Sequence, residues 1–333
     1  MSFSRGVHYR SGCDQGLKYE FELSLWCEDS LCSITMSPLT DALVKYKTLP
    51  PWTETTLPET FQTKHSTQSG TWAKIIVQTG SLQYDALNEA GDTLSTSIIT
   101  PQHTDFFVQP GAWHKVTPLG SLSCFVEFYC RPEDYYQKKY HFAAPHRDVR
   151  VLIQGPLSDH KKLNILDLGC GKGRNATYLH AKGHRVTALD KNADSISRLQ
   201  SVIQQENAED MFESHVYDIE TATLSDNYDL TISTVVFQFL RPDTLPRVVE
   251  NMQAQTKPHG YHFIIVPVSS PELPCPIDFP STFAPQALPN HYAHWQICKY
   301  HEQLGTFHRK DSSGKPIEAM FATLLAQKSA QIL

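Results

Sequence analysis

The sequence predicts a mostly parallel, doubly wound α/β sheet in its second half, preceded by a small all-β region. Three observations support this fold class: the length, a change of pattern near residue 132, and a glycine-rich turn that joins a strand to a helix. The chain has 333 residues, which corresponds to about two domains at about 150 residues per domain. Apolar residues make up 40% and charged residues 19%, which is enough hydrophobic material for folded cores.

The charge and hydropathy patterns exclude several classes of partner. The formal net charge is −6, so no overall basic excess indicates binding to nucleic acid or to an anionic membrane. The longest strongly apolar run, residues 263–268, is far shorter than the roughly 20 residues of a membrane span. The first fifteen residues lack the apolar segment of a secretory signal. We therefore expect a soluble, cytoplasmic protein with no nucleic-acid or membrane partner, and the sequence leaves its oligomeric state open.

The first part of the chain has the pattern of an all-β fold. Residues 1–43 show no sustained periodicity and are predicted to form an extension of the chain. Within residues 44–132, β-like runs at 72–77, 81–87 and 122–129 are separated by turn residues and glycines. This spacing is typical of a β-sandwich or a small barrel.

Residues 133–333 instead alternate apolar runs with helical segments. The predicted strands cover residues 164–169, 184–190, 215–218, 228–234, 260–266 and 320–326. The predicted helices cover residues 175–182 and 193–205, after a polar, helix-prone segment that begins at Pro132. A strand followed by a helix, several times over, predicts a parallel sheet that is covered on both faces.

The turn after the first of these strands carries the strongest functional signal. Gly169, Gly171 and Gly173 have the spacing GxGxG, and Asp167 lies two positions before the first of them. Glycines between a strand and a helix let the backbone approach a ligand closely. A dinucleotide would place its pyrophosphate at the helix N-terminus, whereas an acidic residue here suits the cationic methionine end of S-adenosylmethionine.

Acidic residues also follow the next two strands. Asp190 lies where a carboxylate can accept hydrogen bonds from ribose hydroxyls. Asp218 lies where a carboxylate can accept a hydrogen bond from an adenine amino group. Together with the glycine turn they favour S-adenosylmethionine, with a dinucleotide as the alternative. The predicted cofactor-binding residues are Asp167, Gly169, Gly171, Gly173, Arg174, Asn175, Asp190, Lys191, Asp218, Ile219, Thr234, Val235, Tyr140 and His146.

Several motifs resemble those of the tellurite-resistance methyltransferase family, in its long form with an N-terminal cupin-like β domain. They lie at residues 166–175 (LDLGCGKGRN), 228–237 (YDLTISTVVF), 274–276 (PCP), 304–309 (LGTFHR) and 321–323 (FAT). In the first half, residues 51–53, 61–65, 70–72, 110–114 and 128–134 are similar to that β domain. The similarity covers about residues 44–330.

The resemblance implies a class I, Rossmann-like methyltransferase domain that transfers a methyl group from S-adenosylmethionine to tellurite, with selenium oxyanions as further acceptors, in detoxification. His308 and Arg309, which we predict to lie in a loop after Gly305, match the family's C-terminal basic motif and are the predicted catalytic, acceptor-binding pair. Where members of the family carry an arginine in the following turn, this chain has Lys315. That difference leaves the acceptor open.

The segment before the first α/β strand is similar to one that folds over the cofactor as a lid. It contributes Tyr135, Lys139, Tyr140 and His146, and packing between the domains is the alternative role for them. Two other functions stay open as well: methylation of a small organic thiol or amine, and a non-catalytic oxyanion sensor.

In the β domain, His65 and His114 resemble positions that hold metals or ligands in cupin-like barrels. No third ligand with suitable spacing is evident, although His103 and Asp105 are near in the sequence. We therefore predict no metal site, and the role of this domain stays open.

Overall fold

The structure, a computed structural model, describes residues 42–329. In this range two seven-stranded sheets follow one another along the chain. All but the last two residues of the predicted extension 1–43 lie outside the described part. The predicted domain limits at residues 43 and 132 stay predictions.

The first sheet is entirely antiparallel and follows the predicted all-β region. Its central strands are β4 and β7, in the order β1-β7-β4-β5, while β2 and β3 pair with β7 and β6 pairs with β4. The bounds are β1 Val44–Thr48, β2 Trp52–Thr53, α1 Glu59–Gln62, β3 His65–Ser66, β4 Trp72–Leu87, β5 Thr93–Ile99, β6 Phe107–Val108 and β7 Trp113–Cys130.

The two runs predicted at 72–77 and 81–87 form one continuous strand, β4. The chain bends within the strand at Gly80, where the register against β7 shifts on both sides. Gly80 has a φ of 79°, and a Cβ atom there would lie 1.9 Å from the Ser121 carbonyl oxygen. The glycine marks a bulge inside a long strand, whereas the sequence pattern suggested a turn.

A helical segment connects the two sheets, as the sequence predicts. It consists of a 3₁₀ turn at Pro132–Asp134, α2 Tyr135–Tyr140 and α3 Arg147–Gln154. Val149, Leu152 and Ile153 form the buried face of α3, at the i, i+3, i+4 spacing of an amphipathic helix.

The second sheet is mixed, with the order β10-β9-β8-β11-β12-β14-β13. The first five strands in this order run parallel, and β14 and β13 are antiparallel additions at one edge. The bounds are β8 Asn164–Leu168, α4 Arg174–Ala181, β9 Arg185–Asp190, α5 Ala193–Gln205, β10 Phe212–Val216, β11 Tyr228–Thr234, α6 Leu245–Ala254, β12 Thr256–Val268, β13 Trp295–Lys310 and β14 Pro316–Lys328, with 3₁₀ turns at Phe237–Phe239 and Leu288–Tyr292. The predicted, mostly parallel sheet is confirmed.

The 16-residue strand β13 corrects one prediction. His308 and Arg309 lie in this strand and not in a loop after Gly305. The register against β14 shifts between Thr306 and Lys310, so the pair lies at an irregular part of the edge strand. Its polar composition hid the strand in the sequence, because an edge strand needs no continuous apolar run.

Apolar residues of the second sheet pack against its helices in two buried clusters. The buried face of α5 is formed by Ile196, Leu199, Val202 and Ile203. The Asn192 side chain caps that helix by accepting a hydrogen bond from the Ser195 N–H at 2.8 Å.

No helix within residues 42–329 is long and apolar enough to cross a membrane.

Candidate cofactor and acceptor site

The glycine turn is fixed to the neighbouring strand. The backbone N–H groups of Gly169 and Cys170 both donate to the Leu189 carbonyl, at 2.8 and 3.0 Å. Gly169 has a φ of 75°, and a Cβ atom there would lie 2.4 Å from a methyl group of Val236. Gly171 also has a positive φ, but its Cβ would meet nothing within 4 Å. The turn therefore packs tightly on one side and is open to a ligand on the other.

Asp190 accepts a hydrogen bond from Gly171, on the open side of this turn. Its Oδ2 accepts a hydrogen bond from the Gly171 N–H at 2.7 Å, and its Oδ1 accepts one from the Asn192 N–H at 2.9 Å. Each carboxylate oxygen has capacity for a further hydrogen bond. Asp190 is thus oriented at the end of β9, where it can accept ribose hydroxyls.

Asp167 is a buried acid beneath the turn. Its side chain is 1% exposed, and neither carboxylate oxygen has a hydrogen-bond partner among the described residues. Burial raises the pKa of Asp167 to about 7, against the opposing effects of the Ala176 backbone N–H and the Arg174 charge. The carboxyl therefore lies near the Ala176 N–H and the Arg174 charge, and its oxygens have capacity for further hydrogen bonds.

Asn175 connects the start of α4 to two other segments. Its side-chain Nδ2 donates to the Thr234 hydroxyl at 3.0 Å, and its Oδ1 accepts from the His146 backbone N–H at 2.8 Å. Asn175 is 3% exposed. Three residues that were predicted to bind the cofactor, from three distant parts of the chain, are therefore joined directly.

Val235 has a strained backbone. Its φ is 59°, a conformation that is rare for a β-branched residue and costs of the order of 1–3 kcal/mol. Its N–H donates to the Ile265 carbonyl at 2.7 Å, and its own carbonyl accepts from the Gln238 side chain at 2.8 Å. These two bonds hold the residue at the carboxyl end of β11.

A cavity of about 730 Å³, the larger cavity, opens over the glycine turn. Its size is within the range of small-molecule sites. The predicted residues that line it are Gly169, Gly171, Arg174, Asn175, Thr234, Val235 and Arg309. The larger cavity lies at the carboxyl ends of parallel strands, where ligands bind in doubly wound sheets.

A smaller cavity of about 140 Å³ adjoins the larger one. Arg174, Val235 and Phe307 line both cavities. His146 and Asp148 also line the smaller cavity, with His146 Nδ1 3.9 Å from a carboxylate oxygen of Asp148. The predicted site residues His146 and Arg174 therefore both line the smaller cavity, and of the two only Arg174 also lines the larger cavity.

Seven predicted cofactor residues line neither cavity: Asp167, Gly173, Asp190, Lys191, Asp218, Ile219 and Tyr140. Lys191 and Asp218 are exposed, and the Asp218 side chain accepts a hydrogen bond from the Glu220 N–H at 2.9 Å, as a turn residue does. Ile219 packs against the core. Lys315 is exposed in the turn between β13 and β14, and no side-chain position is described for His308. Their predicted roles stay predictions.

Tyr140 is held by an acid at the end of α5 and does not line the larger cavity. Its hydroxyl donates to Glu206, which also accepts from Lys139 at 2.7 Å and from the Tyr135 hydroxyl at 3.0 Å. His141, Phe142 and Ala143, just after α2, line the cavity instead. Helix α2 thus leads directly into three residues that line the cavity.

An aromatic wall that the sequence analysis missed runs between the two cavities. The ring centroids of Phe239 and Phe279 are 5.3 Å apart, those of Phe279 and Phe307 are 5.5 Å apart, and those of Phe307 and Phe321 are 4.9 Å apart. The faces of such rings attract a cation. Phe239, Phe279 and Phe307 line the larger cavity and Phe321 lines the smaller one.

These features fit S-adenosylmethionine. The buried carboxyl of Asp167 suits the cationic amino acid end, and the open face of Gly171 suits a closely placed ligand. The oriented Asp190 suits ribose hydroxyls, and the aromatic wall suits a sulfonium. The fold and the site together define the class: a class I, Rossmann-like methyltransferase domain.

Comparison with known proteins gives the family. The chain matches the family model described as tellurite resistance protein TehB over residues 128–325, and the TehB-like domain over residues 47–126. It is 42% identical over 287 residues to the probable S-adenosyl-L-methionine-dependent methyltransferase TehB of Haemophilus influenzae (strain 10810), which covers 86% of this chain and 98% of that relative. It is 34% identical over 243 residues to hemagglutinin 1 of Eikenella corrodens, which covers 73% of this chain and 79% of that relative.

The crystal structure of TehB from Haemophilus influenzae is similar at 40% identity and a TM-score of 0.79, over 87% of this chain and 100% of that chain. The chain therefore belongs to the tellurite resistance protein TehB family, as the resemblance predicts. The predicted fold class and S-adenosylmethionine as the cofactor are confirmed with the family.

Proposed function

We propose that this chain transfers the methyl group of S-adenosylmethionine to tellurite, and to selenium oxyanions as further acceptors. The observation that carries the proposal is the junction of the two cavities, because Arg174, Val235 and Phe307 line both. A cofactor in the larger cavity and a small oxyanion in the smaller one would then be neighbours.

The smaller cavity suits a small oxyanion in size and in donors. At about 140 Å³ it holds only a few heavy atoms. The Arg174 guanidinium presents the planar donor pattern that binds oxyanions, and His146 adds a ring that can donate. Asp148 can accept a hydrogen bond from the hydroxyl of singly protonated tellurite.

When bound, the sulfonium of S-adenosylmethionine supplies an electrophilic methyl group. The residues of this chain align the acceptor and exclude water, and such alignment is worth roughly 7–11 kcal/mol in favourable cases. Phe307 covers the junction of the cavities, and His141, Phe142 and Ala143 cover the larger cavity. The tellurium lone pair would form the new bond to the methyl carbon. The carbon–sulfur bond would break at the same time, and the electron pair of that bond would stay on sulfur.

The test is methyl transfer with purified protein, tellurite, S-adenosylmethionine carrying a labelled methyl group, and an added reducing thiol, which supplies the electrons that convert the methylated oxyanion into volatile methylated tellurium for collection from the headspace. We expect transfer by the wild type and at least a tenfold loss of kcat/KM in Arg174→Ala. Arg147→Ala is the matched control, because Arg147 is exposed and lines neither cavity. Binding of S-adenosylhomocysteine without any transfer to tellurite would contradict the proposal.

The aromatic wall favours a second candidate, the methylation of a small organic thiol or amine. Phe239 is 53% exposed at the larger cavity, and an organic acceptor would cover such a ring. With the same labelled methyl donor, label recovered in dissolved 6-mercaptopurine but not in tellurium would support this candidate. Cofactor binding with no transfer to any acceptor would instead support an oxyanion sensor.

A further inference from the structure

The antiparallel sheet encloses a third cavity, of about 620 Å³, which we name the β-region cavity. Its wall is mostly apolar and aromatic, and it includes Trp52, Phe61, Ile75, Leu82, Val126 and Phe128. The rest of the lining is polar, with histidines and lysines among it, and a cavity of this size that combines apolar walls with polar groups is typical of a small-molecule site. Nothing in the proposed methyl transfer uses it.

Two of those polar groups are imidazoles on paired strands. His65 on β3 and His114 on β7 are direct partners in the strand register, and their ring centroids are 4.0 Å apart. Each ring has its Nδ1 2.9 Å from a backbone carbonyl two residues earlier, Thr63 for His65 and Ala112 for His114. Because a carbonyl only accepts hydrogen bonds, each Nδ1 carries the proton.

His114 consequently offers a hydrogen-bond acceptor to the cavity. It is 4% exposed and lines the cavity, and its Nε2 has no protein partner within residues 42–329. Burial lowers the pKa of His114 to about 4, so the ring is neutral at pH 7. With Nδ1 protonated, Nε2 of a neutral ring accepts a hydrogen bond and cannot donate one.

The charges at the cavity do not select for an anion. The amino group of Lys138 donates to the Ser69 carbonyl at 2.6 Å, and that of Lys139 is paired with Glu206 at 2.7 Å. Both lysines line the cavity from α2 and each already has a partner, while Lys47 on β1, which also lines the cavity, is exposed to solvent, which screens its charge. A neutral ligand therefore fits this set of groups better than a carboxylate or an oxyanion.

A metal ion fits less well than an organic ligand. Within residues 42–329 no group of three or more His, Cys, Asp or Glu side chains is arranged to hold a metal. His103 accepts a hydrogen bond from the Thr100 N–H, and Asp105 pairs with Lys74. His103 and Asp105, which the sequence analysis considered as further metal ligands beside His65 and His114, therefore have other partners.

We propose that the β-region cavity is a second small-molecule site, which binds a neutral aromatic compound carrying one hydroxyl or N–H donor. The aromatic body contacts the apolar wall, and the donor is accepted by His114 Nε2. The mouth of this site also touches the methyltransferase half, because His141 lines both the β-region cavity and the larger cavity.

Calorimetry with two probes tests the donor directly. We expect 2-naphthol to bind the full chain at one site per molecule, and 2-methoxynaphthalene, which lacks the donor, to bind at least tenfold more weakly. His114→Phe keeps a ring of similar size but removes the acceptor, so it should weaken 2-naphthol at least tenfold. Tyr84→Phe is the matched control, because Tyr84 stacks on His114 with ring centroids 5.3 Å apart and does not line the cavity.

A second variant fills the cavity and leaves the histidines in place. Ala73 is 5% exposed and lines the cavity, so Ala73→Leu should abolish binding of 2-naphthol, while binding of S-adenosylhomocysteine reports that the chain is folded. Equal binding of the two naphthalenes, or no saturable binding of 2-naphthol, would overturn the proposal. So would stoichiometric Zn²⁺ binding that is lost in His114→Phe, since it would assign the pair to a metal.

Discussion

The side-chain amide of Asn175 donates a hydrogen bond to the Thr234 hydroxyl at 3.0 Å and accepts one from the His146 N–H at 2.8 Å. One buried side chain thereby joins the start of α4, the end of β11 and the residue that caps α3. His146 lines the smaller cavity, and Asn175 and Thr234 line the larger one.

Asn175→Ala should therefore weaken cofactor binding. The change leaves the His146 N–H and the Thr234 hydroxyl without their partner, and an unpaired buried polar group costs about 1–3 kcal/mol. We expect at least a tenfold weaker affinity for S-adenosylhomocysteine by calorimetry. Asn290→Ala is the control, since Asn290 is exposed, and equal affinities of the two variants would contradict this role of Asn175.

Asp190→Asn tests the ribose contact. An asparagine side chain keeps one acceptor oxygen but replaces the other with a donor, which cannot serve both Gly171 N–H and a ribose hydroxyl. We expect S-adenosylhomocysteine to bind 10- to 100-fold more weakly, with a melting temperature close to that of the wild type. The exposed Asp210, changed to Asn, is the matched control. An unchanged dissociation constant for Asp190→Asn would rule out the proposed contact.

Glu206 is expected to hold helix α2, which is followed by residues that line the larger cavity. Although burial raises it, hydrogen bonds from Lys139, Tyr140 and Tyr135 bring the pKa of Glu206 below its usual value. Glu206→Gln removes the charge from these hydrogen bonds and should cost about 1–2 kcal/mol of unfolding free energy. Chemical denaturation measures this loss, and the exposed Glu209→Gln is its control.

The pH dependence of this contribution has a definite sign. A carboxyl group whose pKa is lowered in the folded state stabilises the protein above its unfolded pKa, and that stabilisation is lost as the pH falls through the folded value. The difference between the wild type and Glu206→Gln should therefore be largest near neutral pH and shrink below about pH 4.5. A difference that grows on acidification would contradict the assignment.

The sequence predicts the central part of the fold because its signals there are local. Strand β8 is an unbroken run whose last four residues are all buried, and α5 has both an apolar stripe and a capping Asn192. Each of these patterns needs only neighbouring residues to be recognised. The edge strand β13 escaped prediction because its partner β14 supplies the hydrogen bonds, and its exposed face permits polar residues.

The same distinction holds for the candidate site. The glycine turn and Asp190 could be found because their roles depend on adjacent residues and on the strand order. The aromatic wall could not, since Phe239, Phe279 and Phe307 come from separate elements and meet only in the folded chain. Tyr140 was predicted to bind the cofactor from its position in the sequence, but its hydroxyl donates to Glu206 and it does not line the larger cavity.

His262 makes the stability of the protein sensitive to acid. It is fully buried between the Thr256 hydroxyl, 2.7 Å from its Nε2, and the Tyr292 hydroxyl, 3.0 Å from its Nδ1. Burial lowers the pKa of His262 to about 3, whereas an unfolded histidine has a pKa of about 6.5. Below that value the unfolded chain takes up a proton that the folded chain refuses, so stability falls as the pH is lowered.

The expected loss from this one group is about 2 kcal/mol between pH 6.5 and pH 5, at about 1.4 kcal/mol per pH unit. His262→Gln keeps polar contacts in the pocket but does not titrate, so its denaturation midpoint should depend less on pH over this range. His215→Gln is the control, because the His215 side chain is 57% exposed on β10. If His262→Gln loses as much stability as the wild type between pH 7 and pH 5, the acid sensitivity arises elsewhere, and His114, whose pKa burial also lowers, is the next residue to substitute.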